Sequence, residues 1–106
     1  MDCIFCKIIK GVVASAKVFE NEKLLAFADI NPKAKVHVLI VPKKHIESVK
    51  TLEEADKDLV GEIFLIAKNI AKEKNLEGYK LVVNVGREGG QLVDHLHLHL
   101  LSGDFN

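Results

Sequence analysis

The sequence lacks several features that mark broad classes of protein. It has no tryptophan and only two prolines and two cysteines among its 106 residues. Fifteen basic and fifteen acidic side chains leave no net charge and no long basic block, so the composition gives no support to nucleic-acid binding through phosphates. The longest apolar run, residues 36–41, is interrupted by His37 and is far too short to span a bilayer. We therefore expect neither a nucleic-acid nor a membrane partner.

The two cysteines lie close together, at Cys3 and Cys6. The N-terminus does not show the charged-then-apolar arrangement of a signal peptide, so we expect a cytoplasmic location. In that reducing compartment the pair indicates a metal site or a redox motif, not a structural disulfide. Two small, buried, apolar side chains are the third interpretation.

The remaining composition is that of one small globular domain over residues 1–106. Hydrophobic residues make up 48% of the chain, which is ample for a core, and no repeat or linker interrupts it. The order of helical and strand patterns predicts an α+β fold with an antiparallel sheet. Periodicity and turn signals predict a short helix over 1–10, strands over 17–20, 24–29 and 36–41, a long helix over 52–75 opened by a capping box of Thr51 and Glu54, and strands over 79–85 and 95–101.

The last predicted strand carries the most unusual pattern, in which His95, His97 and His99 alternate with leucines. Side chains on a strand alternate between its two faces, so this pattern predicts three imidazoles on one face and an ordinary leucine core on the other. Same-face neighbours lie about 7 Å apart, close enough for the three rings to line one pocket.

Such a histidine face permits chemistry at phosphorus. A neutral imidazole is a nucleophile that forms a phosphoramidate, and repulsion between like charges disfavours protonation of several neighbouring rings. His97, in the middle of the row, is the best-placed nucleophile. Gly89 and Gly90 can present backbone N–H groups to an anion, and Asn84 can add an amide donor, although all three are also ordinary turn formers.

Histidines on a strand also indicate a metal site. Cys3, Cys6, His45 and one histidine of the row could complete a Cys2His2 tetrahedron of the kind that zinc prefers. A metallohydrolase, in which the histidine row itself holds a catalytic metal, is a second interpretation of the same residues.

Taken together, the motifs resemble the histidine-triad nucleotide-binding superfamily, and within it the nucleoside phosphoramidase branch. The resemblance covers nearly the whole chain, and the final histidine–leucine alternation is its most specific part. It rests on the segments Cys3–Ile9, Ala26–Ile30, Val36–Val41 with His37, Pro42–Ile46, Val82–Asn84, Gly89–Gln91 and His95–Leu101.

The resemblance implies a five-stranded antiparallel meander sheet with one long and one short helix. It further implies a homodimer with a ten-stranded sheet, whose interface uses the long helix and the strand after it. The implied ligands are purine nucleoside monophosphates, and the implied substrates are their 5′-phosphoramidates, cleaved through a nucleotidyl-histidine intermediate. No organic cofactor is expected.

The resemblance also assigns roles by position. His97 is the implied nucleophile, His99 contacts the phosphate and the leaving group, and His37 supports the triad from a neighbouring strand. The implied metal ligands for a structural Zn2+ are Cys3, Cys6, His45 and His95, of which His95 also orients His97. The implied nucleotide-binding residues are Ile4, Phe5, Phe27, Asp29, Ile30, Asn84, Gly90, Gln91, His97 and His99; from the residues alone, Asp29 could cap a turn, and Phe27 and Ile30 could be core.

Two departures from the family pattern keep other functions open. Leu92 stands where the family usually has a serine that donates to the phosphate, and the family's longer, tryptophan-bearing tail is absent or very short. A nucleotide-binding or partner-binding module with little catalysis is therefore one alternative to the phosphoramidase. A dinucleoside polyphosphate hydrolase is another.

Overall fold

Five antiparallel strands form one sheet in the computed structural model, which describes residues 3–104. Across the sheet the strands run in the order β1-β2-β3-β5-β4. The predicted α+β class with an antiparallel sheet is confirmed, but β5 lies between β3 and β4, so the last two strands depart from a simple meander. In chain order the strands are β1 (Lys17–Glu20), β2 (Leu24–Ala28), β3 (Val36–Pro42), β4 (Lys80–Val82) and β5 (Leu98–Ser102).

Two α-helices accompany the sheet, the short α1 (Ile4–Ile9) and the long α2 (Lys57–Glu73). The predicted start of the long helix at residue 52 is wrong because two 3₁₀ turns precede it. In the first turn the Ser48 backbone N–H donates to Thr51 Oγ1, and in the second the Glu53 backbone N–H donates to Asp56 Oδ2. Thr51 therefore caps the first 3₁₀ turn and does not cap α2 as predicted. Each predicted helix and strand is present in the structure.

One face of the sheet packs against α2 and forms the larger core. Ala26, Ile40 and Leu98 are aligned across β2, β3 and β5, and all three are buried. Ile63 and Ala67 are among the buried residues that α2 contributes to the same cluster. Burial of Leu96, Leu98 and Leu100 here confirms that the leucines of the histidine–leucine pattern face the core.

The opposite face of the sheet carries the polar residues. Phe27, Leu39, His99 and Val82 are aligned across four strands in one row. The next row along the strands begins with His37 on β3 and continues through Leu101 on β5 to Lys80 on β4. Helix α1 covers one end of this face, where its side chains pack on β2 and β3, and it leaves the other end open.

Two of the predicted strands are shorter than expected. β4 ends at Val82 instead of residue 85, and β5 begins at Leu98 instead of residue 95. The chain bends between these points, where it forms a 3₁₀ turn over Arg87–Gly89. Among residues 3–104, no helix combines the length and the apolar character that crossing a membrane requires.

Candidate functional site

The three histidines of the triad lie opposite the leucine core but do not line one pocket. Because β5 begins only at Leu98, the segment before it follows a bent path, and the His95 N–H bonds to the carbonyl of Val93 at 2.9 Å. The ring of His95 is fully buried and lies against Cys3, whereas His97 and His99 line the open cavity. The common pocket predicted from periodicity is therefore wrong for His95, which lies beside the cysteine that the family resemblance pairs with it.

A cavity of about 760 Å³ opens on this face of the sheet, within the size range of small-molecule sites. Its wall combines side chains of α1, the ends of β2 and β3, and the loop between β4 and β5. His37 lines it together with most of the predicted nucleotide-binding residues: Ile4, Phe5, Phe27, Asp29, Ile30, Asn84, Gly90, His97 and His99.

Gln91 is the predicted nucleotide-binding residue that does not line the cavity. Its side chain is only 2% exposed and makes three hydrogen bonds within the protein. The carbonyl oxygen accepts from the Gly86 N–H at 2.8 Å, and the amide donates to the carbonyls of Glu47 and Val93. Gln91 therefore fixes the shape of the loop that presents Gly90, and its amide is not directed toward a ligand.

Gly90 and Asn84 form the polar wall of the cavity on the loop side. Gly90 has φ +90°, a conformation that side-chain-bearing residues rarely adopt, and a Cβ there would lie 3.8 Å from Asn84 Cγ. The positive φ therefore favours glycine, and the Gly90 N–H donates to the Arg87 carbonyl at 3.0 Å, which closes the 3₁₀ turn. Asn84 contributes a side-chain amide to this wall, which can donate to an anionic group such as a phosphate.

The hydrogen bonds of His97 fix its tautomer. Its Nδ1 lies 2.7 Å from the carbonyl oxygen of His95, which can only accept, so Nδ1 carries the proton. Nε2 therefore has a free lone pair. Burial lowers the pKa of His97, which keeps the ring neutral at neutral pH. His97 has the protonation state of a nucleophile.

A chain of hydrogen bonds fixes His99 in the opposite tautomer. The Lys33 backbone N–H donates to His37 Nδ1 at 3.1 Å, so the His37 proton lies on Nε2. His37 Nε2–H then donates to His99 Nδ1 at 2.9 Å, which leaves the His99 proton on Nε2. His99 Nε2 is buried and has no hydrogen-bond partner among residues 3–104, so it is available to donate to a bound ligand.

Electrostatics keep this second histidine neutral as well. Burial, followed by the neighbouring rings of His97 and His37, lowers the pKa of His99 to about 4. His99 is therefore a hydrogen-bond donor and not a charged acid at neutral pH. Burial also lowers the pKa of His37, against the opposing charge of Asp29, whose Oδ2 lies 3.5 Å from His37 Nε2.

Asp29 combines two arrangements that the sequence offered as alternatives. Its Oδ1 accepts the Asn31 backbone N–H at 2.8 Å, as expected of a turn-capping residue. The side chain nevertheless lines the cavity, next to His37. The donor atoms of Asp29, His37 and His99 lie close enough together to bind a cation. The hydrogen bond between the His37 and His99 rings already explains why the two rings are close.

A second cluster lies beyond the cavity wall. Cys3 Sγ, Cys6 Sγ, His45 Nδ1 and His95 Nδ1 all lie within 4.8 Å of one another. The donor atoms are separated by 3.3 Å for Cys3–His95, 3.4 Å for Cys6–His45, 3.6 Å for Cys6–His95 and 3.1 Å for His45–His95. A tetrahedral zinc site has ligand–ligand edges of roughly 3.3–3.8 Å, given Zn–S and Zn–N bonds of about 2.3 and 2.0–2.1 Å.

The surroundings of this cluster also suit a metal. His95 Nε2–H donates to the carbonyl of Pro42 at 2.8 Å, which leaves the Nδ1 lone pair directed at the cluster. The Cys6 backbone N–H donates to Cys3 Sγ at 3.3 Å. Burial, and then Cys3, raises the pKa of the Cys6 thiol, so a cation would have to supply the charge that stabilises two thiolates here. The four residues therefore fit a structural zinc ion.

Several residues at the site carried no signal in the sequence. Leu39 and Val82 line the cavity because they are aligned with His99 across the sheet. The Pro42 carbonyl and the Lys33 N–H are backbone groups, and a sequence pattern cannot show where they point. The β3–β5 register identifies Leu39 and the β4–β5 register identifies Val82, whereas the two backbone groups require the full tertiary structure.

Comparisons with known proteins agree with this fold and site. A family model described as the scavenger mRNA decapping enzyme C-terminal binding family matches residues 2–106. A HIT-like protein from Helicobacter pylori is 47% identical over 103 residues, which are 95% of this chain and 96% of that protein.

Solved structures show the same likeness. The HIT family hydrolase from Legionella pneumophila is 46% identical with a TM-score of 0.95, covering 97% of this chain and 94% of its own. A histidine triad protein from Clostridium difficile is 45% identical with a TM-score of 0.94, covering 100% of this chain and 94% of its own. The fold and site thus define a small α+β protein with paired histidines in an open cavity. The chain belongs to the histidine triad (HIT) family.

The lowered pKa of His99 predicts that the protein loses stability in mild acid. Between pH 6.5, the ordinary histidine value, and about 4, the unfolded chain binds a proton at this residue that the folded protein does not. The free energy of unfolding should therefore be highest above pH 6.5 and fall as the pH is lowered toward 4. Urea denaturation across this range measures the slope, and a slope unchanged in His99→Asn would contradict the assignment.

Proposed function

We propose that this protein is a hydrolase of purine nucleoside 5′-phosphoramidates, in the nucleoside phosphoramidase branch of the family. The observation that supports it best is the opposed tautomers of two neighbouring histidines. His97 has its lone pair on Nε2, and His99 has an unpartnered N–H on Nε2. A nucleophile beside a hydrogen-bond donor is the pair that displacement at phosphorus requires.

In the first step His97 Nε2 attacks the α-phosphorus of the bound nucleotide. The phosphorus–nitrogen bond to the amine breaks, its electron pair leaves with the nitrogen, and the amine takes a proton from water. His97 then carries the nucleotidyl group on Nε2 and the proton on Nδ1, and its positive charge is stabilised by the His95 carbonyl at 2.7 Å. His99 Nε2–H donates to the phosphate oxygens and stays close to the leaving group.

In the second step the hydroxide left by that proton transfer attacks the phosphorus. The bond to His97 breaks, its electron pair returns to Nε2, and nucleoside monophosphate is released. Both steps place extra negative charge on the phosphate oxygens, near the His99 Nε2–H and the Asn84 amide. Donors placed before the reaction stabilise this charge more strongly as it develops.

The apolar wall of the cavity suits a nucleoside. Phe5 and Phe27 present aromatic side chains whose ring centroids lie 5.5 Å apart, and Ile4 and Ile30 extend this apolar wall. Asp29 offers a carboxylate that can accept hydrogen bonds from ribose hydroxyls. A solved relative, a histidine triad nucleotide-binding protein from Candida albicans, is 39% identical with a TM-score of 0.86, which supports a nucleotide ligand.

Replacement of the nucleophile tests the proposed reaction. His97→Asn should reduce hydrolysis of a fluorogenic adenosine phosphoramidate roughly a thousandfold or more, the scale found when other covalent enzymes lose their nucleophile. AMP binding, measured by calorimetry, should remain because the residues that would contact base and ribose are unchanged.

Val12→Ala, at a position 72% exposed and outside the cavity wall, is the matched control and should retain wild-type turnover. Wild-type turnover in His97→Asn would rule out His97 as the nucleophile. Wild-type protein that binds AMP but cleaves nothing would support the binding-module alternative instead. Cleavage of dinucleoside polyphosphates in preference to phosphoramidates would support the other alternative.

We further propose that Cys3, Cys6, His45 and His95 hold a structural Zn2+. The support is the proximity of the four donor atoms, all within 4.8 Å of one another, and the orientation of His95 by Pro42. The ion would join α1 to the segment after β3 and to the segment before β5. In a domain of this size, such a link supplements a small hydrophobic core.

The metal proposal predicts one zinc per chain by elemental analysis of protein folded with zinc present. Cys6→Ala should lose the ion and be less stable than the wild type, by about 4 kcal/mol when free zinc exceeds the wild-type dissociation constant a thousandfold. Calorimetric unfolding with and without zinc measures the difference. Equal stability of both proteins at saturating zinc would argue against the site.

We also propose a homodimer. Helix α2 exposes Phe64 and Leu65, which are 44% and 58% accessible on the side of the helix away from the sheet core. β4 follows α2 in the chain and lies at an edge of the sheet. An edge strand and an exposed apolar helix face are each suited to pairing with a second copy.

The dimer proposal predicts a solution mass of twice the 11.8 kDa chain in light scattering. Phe64→Lys should lower the mass toward that of one chain, because it introduces a charge into the proposed interface. Val12→Lys, an equally drastic change at another exposed site, should leave the dimer intact. A wild-type mass of one chain at micromolar concentration would refute the proposal.

A further inference from the structure

We propose that the metal centre and the candidate nucleophile act as one unit, in which His95 transmits metal occupancy to the position and tautomer of His97. The inference rests on the proposed function and adds a catalytic consequence to an ion that would otherwise only stabilise the fold. His95 is here a positioning residue, since it lies outside the cavity and acts through His97.

Each polar group of His95 has a partner within the protein. Ring Nδ1 is directed at Cys3 and Cys6, and ring Nε2–H donates to the Pro42 carbonyl at 2.8 Å. The main-chain carbonyl accepts the proton of His97 Nδ1 at 2.7 Å. One fully buried residue therefore contacts the metal ligands with its ring and the nucleophile with its backbone.

The backbone around His95 leaves little freedom between these two contacts. The His95 N–H bonds to the Val93 carbonyl at 2.9 Å, and the Leu96 N–H bonds to the Ile46 carbonyl at 2.7 Å. Ile46 directly follows His45, another residue of the cluster. The peptide group between His95 and Leu96, whose carbonyl accepts the His97 proton, is thus held by hydrogen bonds on both sides. One of these bonds is to Ile46, next to His45 of the cluster.

A second route joins the same two sites. Phe5 lies between Cys3 and Cys6 in α1, and its ring makes edge contacts with two histidines. The ring centroids are 5.8 Å from His95 and 5.0 Å from His97. A metal that holds both cysteines would therefore also hold Phe5 against the nucleophile.

These contacts predict how loss of the metal would affect His97. Loss of the metal would release α1 and the His95 ring, so the carbonyl that selects the Nδ1–H tautomer of His97 would no longer be fixed. Nucleotide binding should weaken as well, because α1 carries Ile4 and Phe5 of the cavity wall. The tautomer of His97 is therefore the property that reports the coupling itself.

The first experiment compares zinc-loaded wild type with Cys6→Ala by NMR of 15N-labelled histidine. Wild-type His97 should show one tautomer, protonated at Nδ1, whereas the variant should show a mixture. The kcat of the variant should fall about 10- to 100-fold, the usual cost of losing a group that orients a reacting residue, and KM should rise because α1 carries Ile4 and Phe5. Cys6→His, which retains four metal-binding side chains, should restore both the tautomer and kcat.

Ile63→Val is the control for stability, because it weakens the α2 core without contact to either site. It should leave the His97 tautomer and kcat unchanged. A single Nδ1–H tautomer together with wild-type kcat in metal-free Cys6→Ala would overturn the coupling.

A second measurement uses the wild-type chain, in case Cys6→Ala does not fold. Protein loaded with 113Cd2+ should show a cadmium resonance that shifts when AMP binds, since the phosphate would contact His97 and His97 is bonded to a ligand residue. A resonance that stays fixed at saturating AMP would overturn the coupling alone. Failure to bind cadmium or zinc would overturn both the metal centre and the coupling, whereas coupling without hydrolysis would refute only the proposed reaction.

Discussion

The hydrogen bond between His97 Nδ1 and the His95 carbonyl is the interaction on which the site depends. A carbonyl can only accept, so this single contact decides which ring nitrogen of His97 carries the proton and which has the lone pair. It also joins two environments with different chemistry, a closed cluster of sulfur and nitrogen donors and an open cavity. The proposed reaction and the proposed metal centre meet at this bond.

The sheet makes that arrangement possible by separating its two faces. One face packs against α2 through aliphatic side chains such as Ile40 and Leu98, and burial of these side chains forms the larger core. The other face is then free to carry polar groups whose positions are set by register, as in the row that joins Leu39 to His99 and Val82. The Lys33 N–H reaches this face from the turn before β3 and begins the chain of bonds that ends at His99. Strand β5 and the bent segment before it thus hold His99 and His97 in opposed tautomers.

The sequence predicted the elements better than their limits. Apolar periodicity located both helices and all five strands, because burial of one face imposes that period on the residues. It placed the start of α2 too early, since Ser48 and Glu53 form turns whose hydrogen bonds depend on atoms three residues away. It also extended the histidine strand to His95, because alternation of side chains persists through a bent segment as well as through a strand.

In the candidate site too, the sequence predicted the chemistry better than the arrangement of the residues. The residue types alone indicated histidine chemistry at phosphorus and a cysteine–histidine metal site, since few other side chains supply neutral nucleophiles or soft ligands. The residues could not show that Gln91 is fully engaged within its loop or that the three histidines serve two environments. Those outcomes depend on which backbone carbonyls and N–H groups lie nearby, and every residue carries the same backbone groups. The sequence by itself determined the class of fold and the chemistry available, while the tertiary structure alone decided which nitrogen of each histidine is free to use it.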